Sequence, residues 1–383
     1  MIDPTAKTWL EVSRSALTHN VGAIRALLED GTDFMAVVKS NAYGHGLEPV
    51  ASAVADRVDW FGVDSLVEAE KLRGLPGLVD QKILILGFTP AAAHRQLVQG
   101  GFRSVVYDVD TARSLNEAAA SLGVTARVHL KIETGTTRQG IWPAELPDFA
   151  AQVAELPALK VEGIYTHFAN IEDTSDATYA QLQLTRFKEA IQTLRAAGLE
   201  PSVRHATCSA AAMLFPETHF DLARVGISLY GLWSSALTCQ NLQANGTYCE
   251  LRPALTWKTR IAQVKAVPAG TPISYGLTEK VDRDSRVAVL PVGYWDGYDR
   301  RLSSIGQVLV RGQRAKVLGR VCMNMMMIDV TGINGVRTGE EVVLLGRQGG
   351  ETISAEELAE HIGTINYEVV TRINPLLPRI LID

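Results

Sequence analysis

Along the first 230 residues, apolar positions switch repeatedly between helical and strand-like spacing. Leu17, Val21, Ile24 and Leu28 recur every three or four residues, which predicts a helix over 13–28 with one buried face. The apolar run at 34–38 reads as a short buried strand, Leu47, Val50, Ala51 and Val54 make a second helical stripe, and 60–63 is the next strand. The alternation continues with strands at 83–86, 104–107, 126–132, 159–166, 203–206 and 222–225. Helical patterns fill the intervals at 65–73, 90–99, 110–122, 146–156 and 177–197. Eight strands with helices between them predict a (β/α)8 barrel closed near residue 230. An open doubly wound sheet would alternate as well, but no G-x-G-x-x-G and no phosphate loop ending in Gly-Lys-Ser/Thr occurs.

Beyond Trp233 the texture changes. Residues 234–252 have no clear periodicity and read as a connection. From Ala254 onward the runs are short and β-like, at 255–267, 286–290, 308–310, 316–318, 325–330 and 342–345, with Gly- and Pro-containing turns between them and one late helix at 354–361. The expected organisation is a barrel over 10–240 and a mainly β domain over 241–383, to which the amino terminus adds a strand within 1–9, close to Thr8–Val12.

Composition narrows the class. In 383 residues, 46% are hydrophobic and 21% charged, enough for a sizeable core in one large barrel plus an extension. A net charge of −5 offers no basic footprint for nucleic acid or an anionic membrane, so a small polar molecule is the expected partner. No apolar run reaches the length of a membrane span and the amino terminus has no apolar signal core, which places the protein in the cytoplasm. Cys208, Cys239, Cys249 and Cys322 show no metal-binding spacing and are expected as reduced thiols, with no metal site.

In such a barrel the chemistry stands at the carboxyl ends of the strands. Lys39 follows the first strand directly, where a lysine can form a Schiff base with an aldehyde cofactor. Strand 126–132 alternates strictly, so Val128, Leu130 and Ile132 face the helices while Arg127, His129, Lys131 and Glu133 face the interior. His167, Ser209, Arg224 and Gly226 stand at the ends of the last three strands. Taken singly, His167 reads equally as a core histidine, Ser209 as a helix cap and Arg224 as half of a surface ion pair. Together they fit pyridoxal phosphate, which needs a Schiff-base lysine, an anchored phosphate and a partner for its ring nitrogen.

The chain closely resembles the alanine racemase family over nearly its whole length. The residues that carry the resemblance are AVVKSNAYGHG at 36–46, GIYTHFA at 163–169, RVGISLYG at 224–231, ISYGLT at 273–278, VGYWDGY at 292–298, GRVCM at 319–323 and INYE at 365–368. The resemblance implies a pyridoxal-phosphate barrel of fold type III plus a β domain, paired head to tail in a homodimer that shares its active sites. It implies that Lys39 holds the cofactor and acts as one base, and that Tyr275 of the other subunit is the second base. Inverting a carbon needs a proton to leave one face and another to arrive on the opposite face, which two bases achieve directly. A tyrosine ordinarily ionises near pH 10 and needs positive charge nearby to act so, for which His167 and Arg224 are the expected suppliers. By the same resemblance Arg224 faces the ring nitrogen, and Tyr43, Ser209, Gly226, Ile227 and Tyr367 hold the phosphate. Arg138 and the backbone of Met323 take the substrate carboxylate, Lys131 is a position that can carry a carbamate, and Tyr294, Arg300, Arg320 and Ile365 line the approach path.

The chain departs from the family pattern at Glu133, where aspartate is commoner, at Thr136-Thr137 in place of Met-Gly, at Cys208 where asparagine is usual, and at Asn324 in place of aspartate. The implied reaction is interconversion of L- and D-alanine for D-alanine supply, with serine or a broader range of amino acids as alternative substrates. A basic amino-acid decarboxylase would share the architecture but wants an acidic partner for the ring nitrogen. A non-catalytic pyridoxal-phosphate carrier would need no second domain.

Overall fold

The structure, a computed structural model, describes residues 5–172 and 176–383; the part of the expected amino-terminal strand at 1–4 lies outside the described residues. The first strand, β1 (Thr8–Ser13), is followed by eight strands of a second sheet: β2 (Asp33–Val37), β3 (Trp60–Val63), β4 (Lys82–Ile85), β5 (Arg103–Val106), β6 (Ala126–Lys131), β7 (Leu159–Tyr165), β8 (Val203–His205) and β9 (Leu222–Val225). These eight form one parallel sheet in the order β8-β7-β6-β5-β4-β3-β2-β9, the order of a barrel wound strand after strand. β8 and β9 are the two ends of that path. Their seam is drawn together by Asp221 N–H donating to Arg204 O (3.0 Å) and by the Arg204 guanidinium gripping the Asp221 carboxylate at 2.6 and 2.8 Å.

Local chemistry explains where the helices begin. Ser65 accepts from the Glu68 N–H to start Leu66–Arg73, and Asp108 accepts from the Thr111 N–H to start Val109–Leu122. The segment expected to be a mere connection contains the helix Ala236–Ala244, capped by Ser235. It buries only Thr238 and Leu242, so it has no apolar stripe for periodicity to reveal. Inside the barrel the alternation of β6 holds for His129, Lys131 and Glu133, which are buried, but Arg127 is half exposed beside Glu162 (3.6 Å) at the amino-terminal mouth.

The rest of the chain supplies β10 (Leu255–Arg260), β11 (Gln263–Val267), β12 (Pro272–Ile273), β13 (Glu279–Lys280), β14 (Ser285–Leu290), β15 (Gln307–Val310), β16 (Gln313–Leu318), β17 (Met326–Asp329), β18 (Glu341–Gln348), β19 (Glu351–Ile353) and β20 (Arg379–Ile382). They form a mainly antiparallel sheet in the order β11-β14-β17-β16-β15-β18-β10-β1-β20, with β19 on β18 and β12 paired with β13 apart from it. The run at 255–267 is therefore two strands with different neighbours. β1 joins this sheet antiparallel to β10, with Thr8 opposite Thr259 and Val12 opposite Leu255. By its internal contacts the chain falls into a barrel unit, Ala16–Ser40 with Ala51–Arg252, and a β unit made of residues up to Ser15, Asn41–Val50 and Pro253–Asp383. Relative to limits at 240 and 241, β1 and residues 41–50 go with the β unit and the whole Ala236–Ala244 helix with the barrel.

The pairing of β6 with β7 slips by one residue between Val128 and His129, a bulge that re-aims a side chain. Gly163 lies opposite His129, and a Cβ there would stand 2.5 to 2.7 Å from the imidazole ring. The space is thus reserved for His129. Gly163→Ala should overpack the barrel and lower stability by about 1–3 kcal/mol, read by chemical denaturation; an unchanged midpoint would show that the ring can move aside.

Candidate active site

The barrel unit gathers its ionisable residues where its strands end. β2 runs into Lys39, whose Nζ lies 3.9 Å from the Asp64 carboxylate just past β3. Residues 40–43, expected as a plain loop, form a left-handed turn with φ between 51° and 56° at Ser40, Asn41, Ala42 and Tyr43. Such a run is costly for residues bearing a Cβ. It sends the chain away from the strand at the lysine.

Arg224 sits on β9 directly opposite Met35 of β2, so it is a neighbour of the lysine strand. Its guanidinium is buried, and among the described residues no carboxylate pairs with it. It donates to His205 Nδ1 (2.8 Å) and to the carbonyls of Thr166 (2.8 Å) and Ala206 (3.1 Å), and packs over the Tyr165 ring at 5.1 Å. Burial holds its pKa down to about 10, so it stays cationic at neutral pH. Because Arg224 donates to Nδ1, His205 carries its proton on Nε2 and donates to His129 Nδ1 at 2.8 Å. His129 then turns its own Nε2 toward Glu162 at 3.5 Å. Burial lowers the pKa of both histidines. At the far end, burial would raise Glu162, but His129 and Arg103 pull it down to about 2.

Burial, and then the charges of Arg224, Arg138, Lys131 and Lys39, hold His167 well below its ordinary pKa. The histidine is neutral, which corrects the expectation that it supplies positive charge. Burial, then Arg138 and Arg224, bring Lys131 down to about 8; its Nζ donates to Gln139 at 3.0 Å. Arg138 lies on the exposed loop after β6. Ser209 is the first residue of the helix Ser209–Leu214 rather than its cap, which is Cys208. The Ser209 hydroxyl oxygen accepts from the N–H groups of Gly226 (3.1 Å) and Ser228 (3.3 Å). Its own proton is left to donate. Ile227 follows in a short 3-10 turn.

The remaining site residues belong to the β unit. The Tyr43 and Tyr367 ring centroids lie 6.1 Å apart with the rings tilted by 51°. Gly44 is held so close to the backbone of Val370 that a Cβ would lie 2.0 Å from its carbonyl oxygen. Tyr275 is 72% exposed and follows Ser274, which is itself at φ +64°. It shares one open depression with Tyr294, Arg300 and Met323. The Arg320 carbonyl accepts from Ser274 Oγ (2.6 Å), and Ile365 is an exposed cap on the helix Asn366–Thr371. That helix and β20 were not legible in the sequence.

Four cationic side chains acting on one neutral histidine, Arg224 among them, and a hydroxyl aimed by two amides make a donor set that fits an anionic aldehyde such as pyridoxal phosphate. Sequence reading had no place for His205, Asp64 or Gln139. Asp64, one residue past β3, could have been found by the strand-end rule applied to every strand. Among the described residues no cluster of side chains could hold a metal ion, and no helix is long and apolar enough to cross a membrane.

Family models describe the same two parts: the alanine racemase N-terminal domain matches residues 12–234 and the alanine racemase C-terminal domain residues 254–381. The alanine racemase of Desulfovibrio desulfuricans is 40% identical over 384 residues, covering 100% of both chains. The solved alanine racemase of Streptomyces lavendulae, a D-cycloserine producer, superposes with a TM-score of 0.91 at 33% identity, over 99% of this chain and 97% of that one. A histidine racemase from Leuconostoc mesenteroides gives 0.89 at 29% identity over 100% and 99%.

The low pKa of Lys131 has a measurable consequence. Between pH 8 and 10.5 the unfolded chain keeps a proton on this amine that the folded chain has released, so stability should rise with pH across that window. In carbon-dioxide-free buffer Lys131→Met should be more stable than the parent by about 1–2 kcal/mol below pH 8, and the difference should vanish toward pH 10.5 in denaturation curves.

Proposed function

The chain belongs to the alanine racemase family, a family of pyridoxal-phosphate-dependent isomerases, and we propose that it interconverts L- and D-alanine through two bases set on opposite faces of the substrate. When bound, pyridoxal phosphate supplies the electron sink that acidifies the substrate Cα–H. Lys39 anchors the cofactor and moves a proton at one face of Cα. Tyr275 of the partner subunit moves the proton at the other face, in a head-to-tail homodimer. The exposure of Tyr275, beside Tyr294, Arg300 and Met323 at an open surface, supports its service to a second copy of the chain.

The observation that carries the reading is Arg224. A guanidinium that stays cationic at neutral pH, fixed by three hydrogen bonds next to the lysine strand, would face the ring nitrogen with a charge that disfavours its protonation and so would keep the sink weak. A weak sink limits transamination, and an arginine in this place disfavours decarboxylation, which calls for an acid. Ser209 Oγ–H, the backbone at Gly226 and Ile227, Tyr43 and Tyr367 take the phosphate. Arg138 and the Met323 backbone take the substrate carboxylate, and Tyr294, Arg300, Arg320 and Ile365 border its approach. We place the enzyme in the cytoplasm, supported by four cysteines that are all free thiols, where it would supply D-alanine.

Purified protein loaded with pyridoxal phosphate and given L-alanine in heavy water should accumulate deuterated D-alanine, and Tyr275→Phe should lower kcat by about 10²–10⁴. Cofactor binding without any D-alanine would refute alanine as the substrate, and serine, histidine and lysine run in parallel would show which amino acid replaces it. An amine with a pKa near 8 is substantially neutral at pH 8, the form that reacts with carbon dioxide. With ¹³C-bicarbonate we expect a carbamate resonance that Lys131→Met abolishes; a spectrum unaltered by that substitution would assign Lys131 as an ordinary amine.

A further inference from the structure

The geometry points to Glu133 as a positioning residue for substrate binding: its buried carboxylate holds the loop after β6 in the strained conformation that presents Arg138. The inference rests on the reading of Arg138 as the group that takes the substrate carboxylate.

The loop leaves the barrel at Ile132 and returns at Ile141, closed at its base by Glu133 N–H to Ile141 O (2.9 Å) and Ile141 N–H to Lys131 O (2.8 Å). Its first half is pinned from outside. Thr134 Oγ1 meets Thr166 Oγ1 at 2.7 Å, Arg186 donates to Thr134 O at 2.8 Å, Tyr179 OH donates to Gly135 O at 2.8 Å and Thr136 Oγ1 donates to His167 O at 2.6 Å. Thr137 and Arg138, by contrast, hydrogen-bond to Glu133 alone among the described residues. One carboxylate oxygen accepts from Gly135 N–H (2.7 Å) and the other from Arg138 N–H (3.1 Å), with the amides of Thr136 and Thr137 also directed at the group. Glu133 is 3% exposed, and among the described residues it forms no ion pair. A buried carboxylate is costly unless its oxygens are satisfied, and here the loop's own amides satisfy them. That occupation leaves the carboxylate no free oxygen with which to act as a base.

The anchor works against the backbone it holds. Thr137 lies at φ +51°, a region unfavourable for a β-branched residue and open to glycine. Released from the carboxylate, Thr137 would relax toward an extended conformation and turn Arg138, the next residue, away from its place. Two opposing local terms, an anionic anchor and a strained threonine, therefore set where the guanidinium stands.

The test uses the loaded enzyme for kinetics and the cofactor-free protein for amide exchange. Glu133→Gln turns one acceptor into a donor that faces N–H groups. It should raise KM for L-alanine and the inhibition constant of propionate together by about 5- to 20-fold, with kcat changed less than about twofold. The amides of Gly135 and Arg138 should exchange about tenfold faster or more. Adding Thr137→Gly removes the strain and should bring KM back to within about threefold of the parent, which a merely structural role for Glu133 would not do. Should Glu133→Gln fold poorly, Glu133→Asp keeps the charge on a shorter arm and should give an intermediate KM. If KM stays at the parental value while Arg138→Ala raises it, or if the glycine brings no recovery, the positioning role is refuted. If Arg138→Ala leaves KM and propionate inhibition unchanged, the assignment of Arg138 itself fails and this inference with it.

Discussion

A guanidinium buried in a barrel, with no carboxylate paired to it among the described residues, is the constraint that organises this molecule. Arg224 satisfies its N–H groups on two backbone carbonyls and a neutral imidazole, so its charge stays unneutralised. Lys39, Lys131 and Arg138 add to the same field, and the buried acid nearby, Glu133, is committed to backbone amides. The neutral state of His167 and the lowered pKa of Lys131 follow from burial first and then from that field. So does the preference of the site for an anionic ligand, since a phosphate and a carboxylate bring the charge the protein withholds. A line of contacts runs from Arg224 through His205 and His129 to Glu162.

Each of the three side chains assigned to move protons or hold the substrate stands beside residues in left-handed backbone: Lys39 before the turn at Ser40–Tyr43, Arg138 after Thr137, and Tyr275 after Ser274. None of these neighbours is glycine, so the cost of each conformation must be offset by the surrounding contacts. Such positions fix the direction of the adjacent side chain more tightly than a relaxed loop would.

The barrel strands and the strand-end chemistry could be read directly because they rest on local periodicity. A parallel strand buried on both faces shows a continuous apolar run, and the polar residue that ends it is exposed to the site by topology alone. Lys39 and His167 were legible for that reason. So was the burial of Lys131, because strict alternation on β6 assigns each residue a face. Arg127 shows the limit of the argument: alternation gives the face and not the depth, and a residue at the open mouth of a barrel can face inward and still reach water.

The amino-acid sequence by itself determined the barrel, the β-rich second part, the family and the identity of the residues that end each strand. What only the tertiary structure decided depends on pairs of residues far apart in the chain. β1 finds β10 some 250 residues away, and His205 meets His129 through a bulge that Gly163 makes room for. The charge state of His167 is likewise set by burial and then by cations from β9, from β6 with its following loop, and from the end of β2. Periodicity carries information over a few turns of chain, whereas a proton's affinity for a buried ring is a sum over everything packed around it, and that sum exists only once the chain has folded.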